Sequence, residues 1–149
     1  MMKAISIWQP WASLIGIKMI ETRSWPTSYR GELLVCAAKR NDQKQAAYLA
    51  QKEIQSVLWP LSPLGCSRPV EMRDLPFGKA IAVVDLVDCL PVAEISDSVI
   101  RRELPFGDFT EGRFGWIFEN VRKIEPFPVL GRQGLFNVEL HQPIEVCDE

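Results

Sequence analysis

"KAIAVVDLVDCLPV", residues Lys79–Val92, gives the strongest β-strand signal in the sequence. It is rich in valine, isoleucine and leucine, which is typical of a buried β-strand, and it is long enough to cross a barrel. Five other segments predict further strands or parts of strands. They are Ala4–Ile7, Met19–Trp25, Glu32–Ala38, Trp116–Pro126 and Gly134–Leu140.

The clearest helix is predicted over "NDQKQAAYLAQKEIQSVL" (Asn41–Leu58). Asp42 can cap it, and Gln45 stands at the capping-box position three residues later. The residues expected to face the core recur at helical spacing: Ala47, Ala50, Ile54, Val57 and Leu58. A short helix is predicted over Glu94–Glu103, and one or two helical turns over Gln9–Gly16.

These elements define the expected fold class. Two helices are too few to connect five or six strands into a parallel sheet, so we expect an α+β fold with a mixed, barrel-like sheet. The chain has 149 residues and 47% apolar content, which suits one domain spanning residues 1–149.

A proline-rich segment, Trp59–Gly78, separates the long helix from the long strand. It contains four prolines and shows no hydrophobic period. Such a stretch is unusual in a compact domain. Two interpretations stay open: a lid or binding loop, and an insertion without functional consequence.

Several classes of protein are disfavoured by composition. No stretch of 18 apolar residues exists, and the first residues lack the apolar core of a signal peptide, so we expect a cytoplasmic protein with no membrane partner. The four cysteines form no close pair, and His141 is the single histidine. We therefore expect no zinc or other metal site, and four reduced cysteines of which at least two lie in apolar strands of the core. We also expect no cofactor.

Charge is unevenly distributed along the chain. The net charge is −2, yet residues 1–40 contain six basic and two acidic side chains. A local positive zone on an acidic protein suits one confined anionic ligand better than a long nucleic-acid duplex. A chance fluctuation of charge is the alternative.

The region "SIWQPWASLIGIKMIETRSWPTSYRGELLVCAAK" (Ser6–Lys39) resembles the opening of an ASCH domain, a group allied to the PUA domains of RNA-modifying proteins. The shared motif is Gly16, Lys18, Glu21 and Arg23, accompanied by "QPWA", "RSW" and "YRG". "GWIFENVRKIEPFPVLGRQGLFNV" (Gly115–Val138) resembles the closing strands. The resemblance implies a small single-domain member with a PUA-like mixed β-barrel of five to six strands, flanking helices, and a cleft for RNA or a nucleotide-like ligand.

The resemblance and the side-chain chemistry together suggest a set of ligand-binding residues. Basic side chains can meet phosphate or carbonyl oxygens, Glu21 can accept hydrogen bonds from a base edge, and tryptophans can stack on bases. The candidates for binding RNA, a nucleoside or a nucleotide are Trp8, Trp11, Lys18, Glu21, Arg23, Trp25, Arg30, Lys39 and Trp116. The alternatives are core packing for each tryptophan and an exposed ion pair for Glu21 and Arg23.

A catalytic role is an alternative to simple binding. Some small ASCH proteins are amidohydrolases that remove the acetyl group of N4-acetylcytidine with a lysine, a threonine nucleophile and a glutamate. Lys18 matches the lysine, and Glu103 is the candidate glutamate. Glu21 occupies the threonine position, while Thr22 follows on the opposite strand face. A Glu21 carboxylate could instead activate a water, with Lys18 polarising the carbonyl.

Two further interpretations stay open. Ribonuclease action, proposed for other ASCH members, would need clustered carboxylates if it used a metal, yet Asp85 and Asp88 are predicted to lie on opposite faces of the long strand. An aromatic-rich surface would also suit a module that binds a protein partner.

Overall fold

The computed structural model describes residues 1–58 and 68–147. One mixed sheet contains six strands: β1 (Met2–Ile7), β2 (Ile20–Arg23), β3 (Gly31–Ala37), β4 (Lys79–Pro91), β5 (Phe114–Pro128) and β6 (Leu135–Val138). The described ranges also contain three α-helices: α1 (Gln43–Leu49), α2 (Lys52–Leu58) and α3 (Asp97–Glu103). The predicted α+β class is confirmed.

The strand order in the sheet is β2-β5-β4-β3-β1-β6. β1 and β3 are parallel, and the other neighbouring pairs are antiparallel. β2 and β6 stand at the two ends of this order and do not pair with each other within the described residues. The prediction of a mixed sheet is therefore confirmed. The hydrogen bonds between the described strands do not close the sheet into a complete barrel.

β4 and β5 are the two longest strands of the sheet, and they pair along most of their length. β4 has 13 residues and β5 has 15, and their register shifts at three points. Such bulges bend a strand and strengthen its twist. Residues 80–84 of β4 are all buried, as expected for its branched aliphatic sequence, and they contribute to two neighbouring hydrophobic clusters.

The predicted long helix is two helices. The capping box at its start is confirmed, since Asp42 Oδ1 accepts from Gln45 N at 3.0 Å and Gln45 Oε1 accepts from Asp42 N at 3.1 Å. The helix breaks after Leu49, however. Ala47 and Ala50 are exposed, so their predicted place in the core was wrong.

Ala47 and Ala50 are exposed because other residues form the inner face of α1. Gln45 and Leu49, one helical turn apart, are the buried residues there. The Gln45 amide donates to the backbone oxygens of Gln9 and Arg40, both at 2.8 Å, and this fixes which face of α1 points inward. α2 restarts after the break and buries Ile54 and Leu58, as predicted, with Val57 half-buried.

The proline-rich segment is only partly described, because residues 59–67 lie outside the described ranges. Within residues 68–78, a 3-10 turn spans Met72–Asp74. Val70, Met72 and Leu75 are buried in a cluster with Leu58 of α2. This part of the segment therefore completes the core beside the helices.

Three cysteines fall within the described ranges. Cys36 is buried in β3, and that burial raises the pKa of its thiol to about 12. Cys89 is half-buried in β4 and packs against the core, whereas Cys147 is exposed. No helix in the described ranges is long and apolar enough to span a membrane.

Candidate functional site

A cleft of about 910 Å³ opens where the end of β1, β2, the end of β3 and α1 meet two loops, residues 107–113 and 129–134. Six of the residues predicted from the sequence line it. They are Trp8, Trp11, Glu21, Arg23, Trp25 and Lys39. The folded chain thus brings most of the candidate ligand-binding residues to one place.

A buried ion pair lies at the base of this cleft. Lys18 has 0% exposure, and its Nζ donates to Glu21 Oε1 at 2.7 Å and to the backbone oxygen of Phe106 at 3.3 Å. Glu21 is 5% exposed, and its Oε2 accepts from Arg23 Nη1 at 3.3 Å. A charge this deeply buried requires a partner, so Lys18 and Glu21 do not form a solvated surface pair.

The turn before β2 sets the position of this pair. Gly16 has φ +106°, a conformation that favours glycine, and it lets the chain turn from the 3-10 helix at Ala12–Leu14 toward β2. Glu103 Oε1 then accepts from the backbone N–H groups of Met19 and Ile20, both at 2.9 Å. The last residue of α3 therefore holds the backbone between Lys18 and Glu21.

The segment after α3 forms one wall of the cleft. The Tyr48 hydroxyl donates to the backbone oxygen of Pro105. Asp108 N donates to Thr22 Oγ1 at 2.9 Å, and Arg113 donates to the backbone oxygens of Asp108 and Thr22. These bonds join the wall to α1 and β2, so they hold the wall in a defined position beside the cleft.

Two aromatic groups contribute flat surfaces at one side of the cleft. Trp8 is 47% exposed, and the Arg40 guanidinium lies 3.9 Å from its ring centroid. Trp11 stacks on Tyr48, with ring centroids 4.4 Å apart and an interplanar angle of 18°. Trp8 is therefore the more accessible ring, with Arg40 over one of its faces.

The third tryptophan of the lining rests on the core. Trp25 meets Trp116 edge to face at 4.8 Å, and Trp116 Nε1 donates to the backbone oxygen of Trp25 at 3.2 Å. The Arg23 guanidinium lies 5.5 Å from the Trp25 ring centroid. Trp116 itself is fully buried, so it supports the cleft from beneath.

Four of the predicted residues do not line the cleft. Lys18 lies beneath Glu21, Glu103 binds backbone N–H groups, and Trp116 is in the core. Arg30 lies elsewhere, where it donates to the backbone oxygens of Thr27 and Tyr29 and contacts Asp88 at 3.5 Å.

The lining is rich in basic groups. Arg113 and Arg132 join Arg23 and Lys39 there, against two carboxylates, Glu21 and Asp108. Sequence reasoning missed Arg113 and Arg132. Each stands next to glycine, in "EGRFG" and "LGRQG", a pattern that suits a loop approaching a ligand closely.

The basic residues of the cleft differ in whether they already form an ion pair. Lys39 and Arg132 form no ion pair with any residue in the described ranges, whereas Arg113 contacts Asp108 at 3.5 Å. Hydrogen bonds from Thr110 lower the pKa of Asp108. The described part of the chain contains no group of three or more His, Cys, Asp or Glu side chains that could hold a metal ion.

Asp85 and Asp88, considered for metal-dependent cleavage, do not act together. Asp85 Oδ1 accepts from Arg122 Nη2 at 2.6 Å, whereas Asp88 Oδ1 faces Arg30 at 3.5 Å. Each carboxylate thus has its own basic partner, and neither lines the cleft.

Comparison with known proteins gives consistent matches. The family model described as "ASCH domain" matches residues 5–128. Activating signal cointegrator 1 of Homo sapiens and that of Mus musculus are each 30% identical to this chain over 144 residues. The alignment covers 93% of this chain but 23% of each relative, so the chain spans less than a quarter of their length.

Solved structures are also similar to this chain. The ASCH crystal structure from Zymomonas mobilis has 15% sequence identity and a TM-score of 0.49, and the match covers 92% of this chain and 87% of that one. A crystal structure of a tyrosine-to-phenylalanine mutant of the same protein has 14% identity and a TM-score of 0.47, with 92% and 89% covered.

Proposed function

Because the chain belongs to the ASCH domain family, we propose that its cleft binds single-stranded RNA or a nucleotide-like ligand such as a modified nucleoside. One observation carries the proposal: the exposed Trp8 ring shares a cleft with Lys39 and Arg132, two cations that have no ion pair within the described ranges. The cleft volume, about 910 Å³, falls in the range of small-ligand sites.

The phosphate groups of such a ligand would meet the basic side chains. Lys39 and Arg132 are exposed, and Arg23, which lines the same cleft, is partly exposed. Arginine has a planar fork of donors that suits phosphate oxygens. Each phosphate contact releases counterions, so binding is expected to weaken as salt rises.

A base would stack on Trp8. Arg40 lies over one face of the ring, and Trp8 is 47% exposed, so part of the ring is accessible to a ligand. RNA-binding proteins commonly stack unpaired bases on aromatic rings, and stacking tolerates any base. The aromatic pair Trp11–Tyr48 extends this apolar surface.

Glu21 would read the polar edge of the base. Its carboxylate lines the cleft and is held from below by Lys18 and from the side by Arg23. A carboxylate accepts hydrogen bonds only, so it would favour a base that presents N–H donors. In this proposal Lys18 and Glu103 position Glu21 and do not contact the ligand themselves.

The test is fluorescence anisotropy with a 5′-fluorescein-labelled, mixed-sequence RNA of twelve nucleotides. The variant Lys39→Ala/Arg132→Ala removes two cleft cations, and Lys52→Ala/Arg101→Ala removes two exposed cations that do not line the cleft. We expect weaker binding and a salt slope shallower by about 1.4 in the cleft variant only, at about 0.7 per lost contact.

A Trp8→Ala variant tests the stacking part of the proposal. We expect a loss of about 1–3 kcal/mol in binding free energy, with a salt slope close to that of the wild type. The proposal would be contradicted if the cleft variant and the control variant lost equal RNA affinity. It would also be contradicted if none of these substitutions changed the RNA affinity.

Amide hydrolysis of an acetylated nucleoside is a second candidate. The observation in its favour is that a glutamate with a buried lysine partner opens onto the cleft. Glu21 replaces the threonine of the related amidohydrolases, so a water would have to act as the nucleophile. Glu21 would take a proton from the water as its oxygen adds to the acetyl carbonyl, and would return that proton to N4 as the C–N bond breaks, which releases acetate and cytidine. Thr22 lines the cleft too, but its Oγ1 accepts a hydrogen bond from Asp108 N.

Chromatography of N4-acetylcytidine incubated with the protein tests this candidate. Conversion by the wild type that disappears in Glu21→Gln, assayed at low temperature with folding verified by circular dichroism, would support hydrolysis. Absence of conversion at high protein concentration would remove this substrate and leave the binding proposal standing. Hydrolysis of a neutral nucleoside should also depend on pH more than on salt.

A further inference from the structure

A second groove, of about 630 Å³, lies beside the cleft and is separate from the ASCH motif. It is formed by the end of β5, the loop that follows, the end of β6 and residues 139–145. Val129, Leu130 and Arg132 border both the cleft and the groove. The two therefore lie on either side of one loop.

The floor of the groove is apolar. Four half-buried residues of the floor also pack against the hydrophobic cluster beneath it: Phe127, Val129, Val138 and Ile144. At the rim, Leu130 is 72% exposed and Leu140 is 40% exposed. Large apolar side chains left in water beside a groove are typical of an interaction surface.

The rim of the groove is acidic. Glu125, Glu139 and Glu145 line it and form no ion pair with any residue in the described ranges. Arg132, at the border with the cleft, is the one lysine or arginine among the described lining residues. The charge of the groove is thus opposite to that of the cleft, and a phosphate backbone would be repelled there.

The groove also reaches the edge of the sheet. β6 is the last strand of the sheet order, and its outer side has no strand partner within the described residues. Asn137 and Val138 of β6 line the groove. An exposed strand edge presents backbone N–H and C=O groups that an extended peptide can bind.

We propose that this groove docks an extended segment of a partner protein in which apolar side chains alternate with lysine or arginine. The apolar side chains would enter the floor, and the basic side chains would meet the three glutamates. Alternation suits an extended chain because successive side chains point in opposite directions. Charge complementarity selects this occupant over RNA.

The probe for this proposal is a fluorescein-labelled peptide of ten residues, KVKLKVKLKV, used with an acidic counterpart in which every lysine is glutamate. Binding is measured by anisotropy. The variant Glu125→Gln/Glu139→Gln/Glu145→Gln removes the three groove charges. The matched control, Glu53→Gln/Glu94→Gln/Glu111→Gln, removes three exposed charges elsewhere that form no ion pair within the described ranges.

We expect the basic peptide to bind the wild type and the control variant, and to bind the groove variant about tenfold more weakly. The acidic peptide should not bind. In ¹⁵N-labelled protein, the basic peptide should shift the amide resonances of Leu130, Val138 and Leu140. Leu140→Ser should weaken binding without changing the net charge, which separates the apolar contribution from nonspecific charge attraction.

Three results would overturn the proposal. The first is equal weakening in the groove and control variants, because it would indicate nonspecific charge attraction. The second is a loss of RNA affinity in the groove variant, because it would assign the groove to the nucleic-acid path. The third is a dimer in sedimentation equilibrium that Leu140→Ser dissociates, because the groove would then join two copies of this chain.

Discussion

Replacing Glu21 with glutamine tests whether Lys18 and Glu21 form a buried charge pair on which the fold depends. The substitution keeps the shape of the side chain but removes the negative charge that Lys18 Nζ meets at 2.7 Å. The side-chain exposures are 0% for Lys18 and 6% for Glu21, so little water can replace the lost partner. Breaking a buried pair in this way costs about 3–5 kcal/mol.

That cost is large for a domain of this size. Single domains have free energies of unfolding of about 5–15 kcal/mol. At about 2–4 °C per kcal/mol for a domain of this length, the melting temperature of Glu21→Gln should fall by about 6–20 °C. Removing both charges, in Lys18→Met/Glu21→Gln, should recover most of this loss because no unpaired charge then stays buried.

Urea denaturation followed by far-ultraviolet circular dichroism measures these differences. Arg23→Ala is the control, because it removes a 3.3 Å contact from the same carboxylate at a partly exposed position and should cost about 0–1 kcal/mol. The reasoning is refuted if Glu21→Gln costs no more than this control, or if the double variant is as unstable as the sum of its two single variants.

Three further predictions concern positions around the site and the core. Glu103→Ala should cost about 2–6 kcal/mol in urea denaturation because two backbone N–H groups lose their acceptor. Glu103→Gln keeps an acceptor oxygen and should be about as stable as the wild type. Equal losses in the two variants would contradict this reasoning. Gly115→Ala places a Cβ 2.6 Å from Ile95 Cδ1 and should cost about 1–3 kcal/mol in urea denaturation. Most of this cost should disappear in an Ile95→Val background, and a cost that persists there would contradict this cause. A hydrogen bond from Arg68 is the main cause that lowers the pKa of Asp74 from 3.8 to about 2. The stability that the ionised Asp74 carboxylate contributes is therefore present above pH 3.8 and is lost as the pH falls toward 2. Urea midpoints of the wild type and Asp74→Asn should therefore differ at pH 7 and converge near pH 2, and a constant difference would argue against this cause.

Local patterns in the sequence were sufficient for the fold class, the strands and the start of the first helix, but not for the division of the predicted long helix into two. Branched aliphatic residues predicted β4, and the Asp42–Gln45 spacing predicted a capping box that the structure confirms. Both signals depend on residues close together in the chain. The inner face of α1 could not be predicted in the same way, because it is set partly by the bond of Gln45 to the backbone oxygen of Gln9, 36 positions away.

The candidate site was predicted less completely for a related reason. The motif from Gly16 to Arg23 indicated which side chains to consider, but not which would be buried. Lys18 Nζ donates to the backbone oxygen of Phe106, and Glu103 accepts from the backbone N–H groups that follow Lys18. Both partners are more than 80 positions away. The binding and catalytic roles of these residues stay predictions.

The hydrogen bonds between Glu103 and the turn before β2 also have a consequence for synthesis on the ribosome. Glu103 follows Ile20 by 83 positions. At about 5–20 residues per second, a ribosome needs about 4–17 s to add that intervening chain. During this interval Lys18 lacks its contact with the backbone oxygen of Phe106, and the backbone N–H groups of Met19 and Ile20 lack the Glu103 carboxylate. The motif from Gly16 to Arg23 is thus translated early but acquires these contacts late, when the growing chain already carries most of the core.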